Sequence, residues 1–268
     1  MIGQPGAGKT RAAWMVHRSL RDTPAHIRGD DFKQAHPDYL ALLRAEPRTA
    51  SVRIRADYRA WQAQAEAWAR QQRGDVVIEA TPGSLAEFTA AAALYRQAGY
   101  RGELVVLAVR AADSRQGTAA RYTEMNRRGL PARFTTAAGH DASFRVLADV
   151  ATSAEQRPGV DSVVVTRRDA HVLYRNARIP PAREPQGTGA GPAVVAEQSR
   201  SYTHAEAERF WAVQRLLRST MPHYRGELIA IGAQARALMP PGWHPRRLDA
   251  ASVAAALPVP TWMCELPS

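Results

Sequence analysis

Two apolar runs, Val76-Val77-Ile78 and Leu104 to Val109, contain no polar alternation, which is the pattern of strands buried on both faces. The first delivers Glu79, Ala80 and Thr81 at its C-terminal end, and Pro82-Gly83-Ser84 then turns into a segment of helical period over 85–98. Ahead of it, Ala56 to Gln72 has helical spacing, with Trp61, Ala65 and Trp68 on one side and Gly74 as its stop. His26-Ile27-Arg28-Gly29 reads as a short strand ending at Asp30-Asp31. Helical stretches are predicted around 113–128 and 137–150, followed by a late strand or edge hairpin from Val163-Val164-Val165 and His171-Val172-Leu173-Tyr174. Buried strands alternating with helices require right-handed crossovers and a mostly parallel sheet, so the expected class is α/β with helices flanking the sheet and ligands beyond the strand C-termini.

The pattern changes after the hairpin. Pro180-Pro181 through Pro192 is rich in proline and glycine and has no apolar period, the signature of a linker. Tyr202 to Ser219 and Arg225 to Leu238 are again helical, with Phe210, Val213, Leu216 and Leu217 as a packing face. The expected organisation is a catalytic α/β domain over 1–178, a linker over 179–195 and a helical C-terminal appendage over 196–268. At 268 residues with 45% hydrophobic content the chain can bury a sizeable core. No stretch has the length and apolarity of a membrane span and no signal-peptide pattern precedes the first glycine loop, so the cytoplasm is the expected compartment. Cys264 is the sole cysteine, which excludes an intrachain disulfide and a cysteine-built zinc site.

A formal charge of +11 is carried almost wholly by arginine, since Lys9 and Lys33 are the only lysines. Such a surface attracts polyanions. The arginines are scattered, and aromatics at 7% give little support for a base-stacking platform, so capture of anionic substrates is expected rather than specific nucleic-acid recognition.

The chemistry is concentrated at the start. Gly3-Gln4-Pro5-Gly6-Ala7-Gly8-Lys9-Thr10 is a complete G-x-x-x-x-G-K-T loop, with Ala12, Ala13, Trp14, Val16 and Leu20 continuing as a helix. The glycines let backbone N–H groups converge on a phosphate, Lys9 reaches the β- and γ-oxygens, and the Thr10 hydroxyl suits Mg²⁺. Such a loop normally leaves a buried parallel strand, yet only Met1 and Ile2 precede it. Upstream residues are therefore expected to complete that strand.

The loop, Gly29-Asp30-Asp31-Phe32-Lys33 with His36-Pro37 and Tyr39, Ile78-Glu79-Ala80-Thr81, Arg121-Tyr122, Ala132-Arg133 and His140 occur in the order and spacing that resemble the zeta toxin family. The likeness spans residues 1 to about 175. It implies a P-loop kinase fold and an ATP- and Mg²⁺-dependent transfer of phosphate to the 3′-hydroxyl of the amino sugar in UDP-N-acetylglucosamine. On that resemblance Asp30 is the catalytic base, Arg121 and Arg133 clamp the transferred phosphate, and Glu79 and Thr81 contact substrate, with Glu79 also serving Mg²⁺ through water. A pair capping the next helix is the alternative for Glu79 and Thr81. Asp31 reads as a cap or solvent group, Phe32 as packing, His36-Pro37 as a turn element, and Lys33 as a source of positive charge near either substrate.

The sequence also departs from that family. The carboxylate on the helix before the E-x-T strand is replaced by Gln62 and Gln64, with Glu66 displaced towards the next turn, and Ala80 stands for the usual glycine. The acceptor is therefore left open to another nucleotide, nucleotide sugar or antibiotic hydroxyl, and a nucleic-acid-binding NTPase is the reading from a different class. The resemblance further implies a small helical antitoxin as partner.

Overall fold

The computed structural model describes residues 1–20, 23–157, 159–177 and 189–245. It divides into two units, one spanning Met1–Arg200 and one beginning at Ser201. The first unit runs α1 (Lys9–Ser19), β1 (Ala25–Arg28), α2 (Gly29–Gln34), α3 (Tyr39–Ala45), α4 (Ala50–Arg53), α5 (Arg55–Gln72), β2 (Val76–Glu79), α6 (Leu85–Gln97), β3 (Glu103–Leu107), α7 (Ala111–Arg127), α8 (Ala137–Gln156), β4 (Ser162–Thr166), β5 (Val172–Ala177) and α9 (Ala190–Gln198). The second contains α10 (His204–Thr220), a 3₁₀ turn at Pro222–Tyr224 and α11 (Arg225–Arg236).

β1 pairs in parallel with β2, β3 pairs in parallel with β4, and β5 closes the edge antiparallel to β4, which makes the late apolar segments a hairpin. The gap between β2 and β3 is spanned by Ile2, which bridges in parallel to both Ala80 and Val106. Its N–H donates to the Val105 carbonyl at 2.8 Å, the Leu107 N–H donates to its carbonyl at 3.0 Å, and the Ala80 N–H donates to the Met1 carbonyl at 2.9 Å. Met1 and Ile2 thus occupy the place of the expected first strand, between β2 and β3, and pair with both neighbours at the level of the loop. Spatially the strands run β1, β2, Met1–Ile2, β3, β4, β5, and the glycine loop leaves the middle of the sheet.

Ile2, Leu104, Val106, Val163, Val165 and Tyr174 form the sheet side of the main core, with Leu147, Val150 and Ala151 of α8 against them. Each such aliphatic side chain contributes about 1.5–3 kcal/mol by leaving water. On α5 the buried side is offset from the expected one. Ala69 is buried while Trp68 is 61% exposed, because the stripe follows 61, 65 and 69 and turns Trp68 towards the flank. The helix also ends one residue before Gly74, at Arg73 in a left-handed conformation with φ 58°.

The largest correction concerns the expected linker. Residues 178–188 lie outside the described residues, but Ala190–Gln198 is helix, with Ala190 and Val194 fully buried in the main core. Pro192 does not break it, because the first turn of a helix has no intrahelical use for that N–H. Gly191 is placed by contact rather than by turning: a Cβ there would collide with the Thr152 hydroxyl of α8, so glycine lets the two helices close. The first contact unit therefore runs on to Arg200. In the second unit, α10 opens with a reciprocal capping box between Thr203 and Glu206, and Phe210, Trp211 and Leu217 are buried. Cys264 and the remainder of the expected appendage beyond residue 245 lie outside the described residues.

Candidate active site

The glycine loop is a tight turn closed by the Ala7 N–H donating to the Gln4 carbonyl at 3.1 Å. Gly6 and Gly8 adopt φ 77° and 99°, a region that side chains disfavour, and a Cβ on Gly6 would collide with the Ser114 carbonyl. Gly8 is the N-cap of α1, so Lys9 and Thr10 start that helix with their N–H groups at its positive end. Gln4 and Ala7 are fully buried. The Gln4 amide donates to the Val109 carbonyl at 2.7 Å and to Ser114 Oγ at 3.2 Å. Ser114 Oγ in turn lies 2.8 Å from His140 Nε2, whose Nδ1 is 2.8 Å from Asp141. This polar ladder fastens the floor of the loop to α7 and α8.

The Lys9 ammonium, donating to the Gly3 carbonyl at 2.7 Å and the Gln4 carbonyl at 3.2 Å, rests on the loop's own entrance. Burial is the main reason its pKa falls from 10.5 to about 8; Arg121 and Arg133 push the same way, against Asp30 and Glu79. Thr10 donates its hydroxyl to Glu79 Oε2 at 2.9 Å, while Glu79 Oε1 is 2.9 Å from His26 Nε2. Burial lowers the His26 pKa more than Glu79 raises it. Thr10 and Glu79 thus present two hard oxygen ligands side by side, a donor set suited to Mg²⁺ that keeps most of its other positions for phosphate and water. Among the described residues no cluster of three or more acidic, histidine or cysteine side chains could hold a metal by itself.

Asp30 lies in the first turn of α2, directly after β1, rather than in a loop at the strand end. Lys33 Nζ donates to its Oδ1 at 2.7 Å, with Arg133 at 3.6 Å and Arg121 at 3.8 Å from its carboxylate oxygens. Burial alone would raise the Asp30 pKa, but Arg133, Lys33 and Arg121 outweigh it and hold the carboxyl well below the usual range. Lys33 is itself buried, with its ammonium 4.9 Å from the Tyr58 ring centre. Asp30, Arg121 and Arg133 therefore form one charged cluster from three separate segments, and Lys9 feels all three.

Thr81 is exposed beyond β2, and Ser84, not Glu79 or Thr81, caps α6 by accepting from the Glu87 N–H at 3.1 Å. Asp31 pairs with Arg28 at 2.6 and 2.8 Å instead of capping a helix. His36 occupies the turn between α2 and α3, stacked on Trp61. Gln62 reaches Gly29, its Oε1 lying 3.2 Å from where a Cβ on that glycine would sit, and its amide donates to Glu66 at 2.8 Å. Sequence reasoning assigned no role to His26, Ser114 or Arg168, although all three touch loop or carboxylate atoms. His26 sits in the quoted strand, but the other two carry no local pattern.

A family model described as Zeta toxin matches residues 1–179. Among solved structures, one chain from a molecular and structural characterisation of the PezAT chromosomal toxin–antitoxin system of the human pathogen Streptococcus pneumoniae superimposes with a TM-score of 0.65 at 20% identity. The match covers 85% of each chain, and at that identity the likeness is one of fold. The search of curated proteins found no match.

Proposed function

The chain belongs to the zeta toxin family, and from that premise we propose that it is an ATP- and Mg²⁺-dependent kinase phosphorylating the 3′-hydroxyl of the amino sugar of UDP-N-acetylglucosamine. The observation that carries the reading is the convergence of Asp30, Arg121 and Arg133 beside Lys9. Phosphoryl transfer needs little covalent help from a protein; it needs an acceptor oxygen held in line and positive charge around the moving group.

In this scheme the loop N–H groups and Lys9 hold the β- and γ-phosphates. Asp30 orients the sugar hydroxyl and takes its proton as the new O–P bond forms and the β–γ bridge breaks. Its depressed pKa makes it a weak base in the free chain, which suits a loose transition state where proton transfer comes late. Arriving phosphates also draw Arg121 and Arg133 away from the carboxylate, and its basicity rises when it is needed. Mg²⁺, held by Thr10 and Glu79, supplies neutralisation of phosphate charge.

The acceptor is the open element, because Gln62 and Gln64 stand in the helix where the family carries a further carboxylate. Incubating the full chain with ATP, Mg²⁺ and UDP-N-acetylglucosamine and weighing the sugar nucleotide by mass spectrometry tests it. The expected product has gained one phosphoryl group. Phosphorylation of a different nucleotide, nucleotide sugar or antibiotic hydroxyl in a parallel panel, with this substrate untouched, replaces the acceptor and keeps the reaction class. ATP turnover with no phosphorylated small molecule defeats both. The resemblance extends this proposal to a cytoplasmic toxin held by an antitoxin; among the described residues no helix is long and apolar enough to cross a membrane.

A further inference from the structure

The outer side of the glycine loop is covered by a residue from the far end of the first unit. Arg168, in the turn between β4 and β5, donates from its terminal nitrogen to the Gly6 carbonyl at 2.6 Å and the Asp113 carbonyl at 3.2 Å, and from Nε to the Ala7 carbonyl at 3.4 Å. Its stem passes 3.3 Å from where a Cβ on Gly8 would sit, and its terminal nitrogen 3.4 Å from that position on Gly117. Both glycines therefore make room for this side chain.

The turn that presents Arg168 is itself anchored. Arg167 donates from Nε to Glu197 Oε2 at 2.8 Å, and Glu197, buried on α9, also receives Arg200 at 2.9 Å. Within the turn the Arg167 N–H donates to the His171 carbonyl at 2.9 Å. Glu197 thus grips Arg167, and the next residue along the turn reaches the loop. α9 lies beyond residue 179, where the family match ends.

We propose that Arg168 is a positioning residue for the nucleotide phosphates, and that Glu197 holds it in place. In a trans peptide the C=O and the following N–H point to opposite sides. Gripping the Gly6 and Ala7 carbonyls from outside therefore fixes the following N–H groups: that of Ala7 closes the turn onto Gln4, and that of Gly8 is left for the opposite side. The guanidinium adds a full positive charge to the loop's field without entering the phosphate cradle. Lysine retains that charge but lacks the planar fork that holds two nitrogens on separate carbonyls.

This inference rests on the nucleotide reading of the loop. Its test is the dissociation constant for MgATP, measured by titration calorimetry on the full chain, with thermal unfolding of the nucleotide-free protein recorded alongside. Arg168→Ala is expected to weaken MgATP binding about tenfold and Arg168→Lys by less, the loss expected for charge-assisted hydrogen bonds. Glu197→Gln is expected to weaken it about threefold and to add nothing in the Arg168→Ala background, the non-additivity of residues that act through one another. If Arg168→Ala fails to fold, Arg168→Lys alone carries the test. Wild-type affinity in a folded Arg168 variant overturns the proposal, as does full additivity with Glu197→Gln. A wild-type chain that binds no MgATP, matching Lys9→Ala, overturns the kinase reading and this inference with it.

Discussion

The two halves of the site are built in different ways. The floor of the glycine loop is held by buried hydrogen bonds among uncharged groups: Gln4 and Ser114 are fully buried, and the Gln4 amide donates to Ser114, which lies against His140. The half proposed to take the acceptor is held by ions. Asp30, 45% exposed, is surrounded by Lys33, Arg121 and Arg133, and two of its three cationic contacts are longer than a direct hydrogen bond. A preformed cradle suits a ligand that is always the same triphosphate. A looser ring of charge can let its arginines move from a carboxylate to a phosphate during the reaction.

That contrast makes the consequences of substitution differ by half. Lys9→Ala removes the one ammonium inside the loop and is expected to cut both MgATP binding and transfer, the latter by about 10²–10³-fold or more in steady-state assays. Arg133→Ala is expected to lower transfer by about 10²-fold while weakening MgATP binding far less, because its proposed role is with the moving group. Equal losses in the two quantities would erase the division between the halves. Ser114→Ala acts on the buried ladder and is expected to cost about 1–3 kcal/mol in denaturant unfolding, since Gln4 and His140 each lose a partner away from water.

The smallest effect is protonic. Lys9 titrates at about 8 in the nucleotide-free chain, first because burial disfavours its ammonium. Between that value and 10.5 the unfolded chain binds more protons, so this group makes stability rise with pH across that window. A triphosphate beside Lys9 restores the ammonium, so binding near pH 8 takes up protons and affinity falls as pH rises through it. Calorimetry in two buffers of different ionisation enthalpy reads this directly, and identical heats would count against it.

The halves also differed in how far they could be read from the chain alone. The loop was legible because its geometry demands glycine at φ 77° and 99° and no other residue type meets that demand cheaply. Asp30, Arg121 and Arg133 were named through family resemblance; in a chain with 36 lysines and arginines, spacing alone could not select two. Arg168 escaped for the same reason, since its partners are backbone carbonyls 161 and 162 residues away. α9 was hidden by Gly191 and Pro192, which mark loops by composition but here serve a close helix crossing and a helix first turn. The alternating strands were legible as buried apolar runs, whereas the pairing at Met1–Ile2 is defined only by the two neighbours it bridges.

On the proposed mechanism the loop half binds and the Asp30 half transfers. Asp30→Asn tests it most directly, with MgATP affinity measured by calorimetry and phosphoryl transfer by ³¹P NMR on the same preparation. MgATP affinity is expected within about threefold of wild type and transfer reduced by about 10²–10⁴-fold, the range for loss of a positioned acid–base group. Transfer at the wild-type rate, or MgATP binding lost together with transfer in a folded protein, would contradict it.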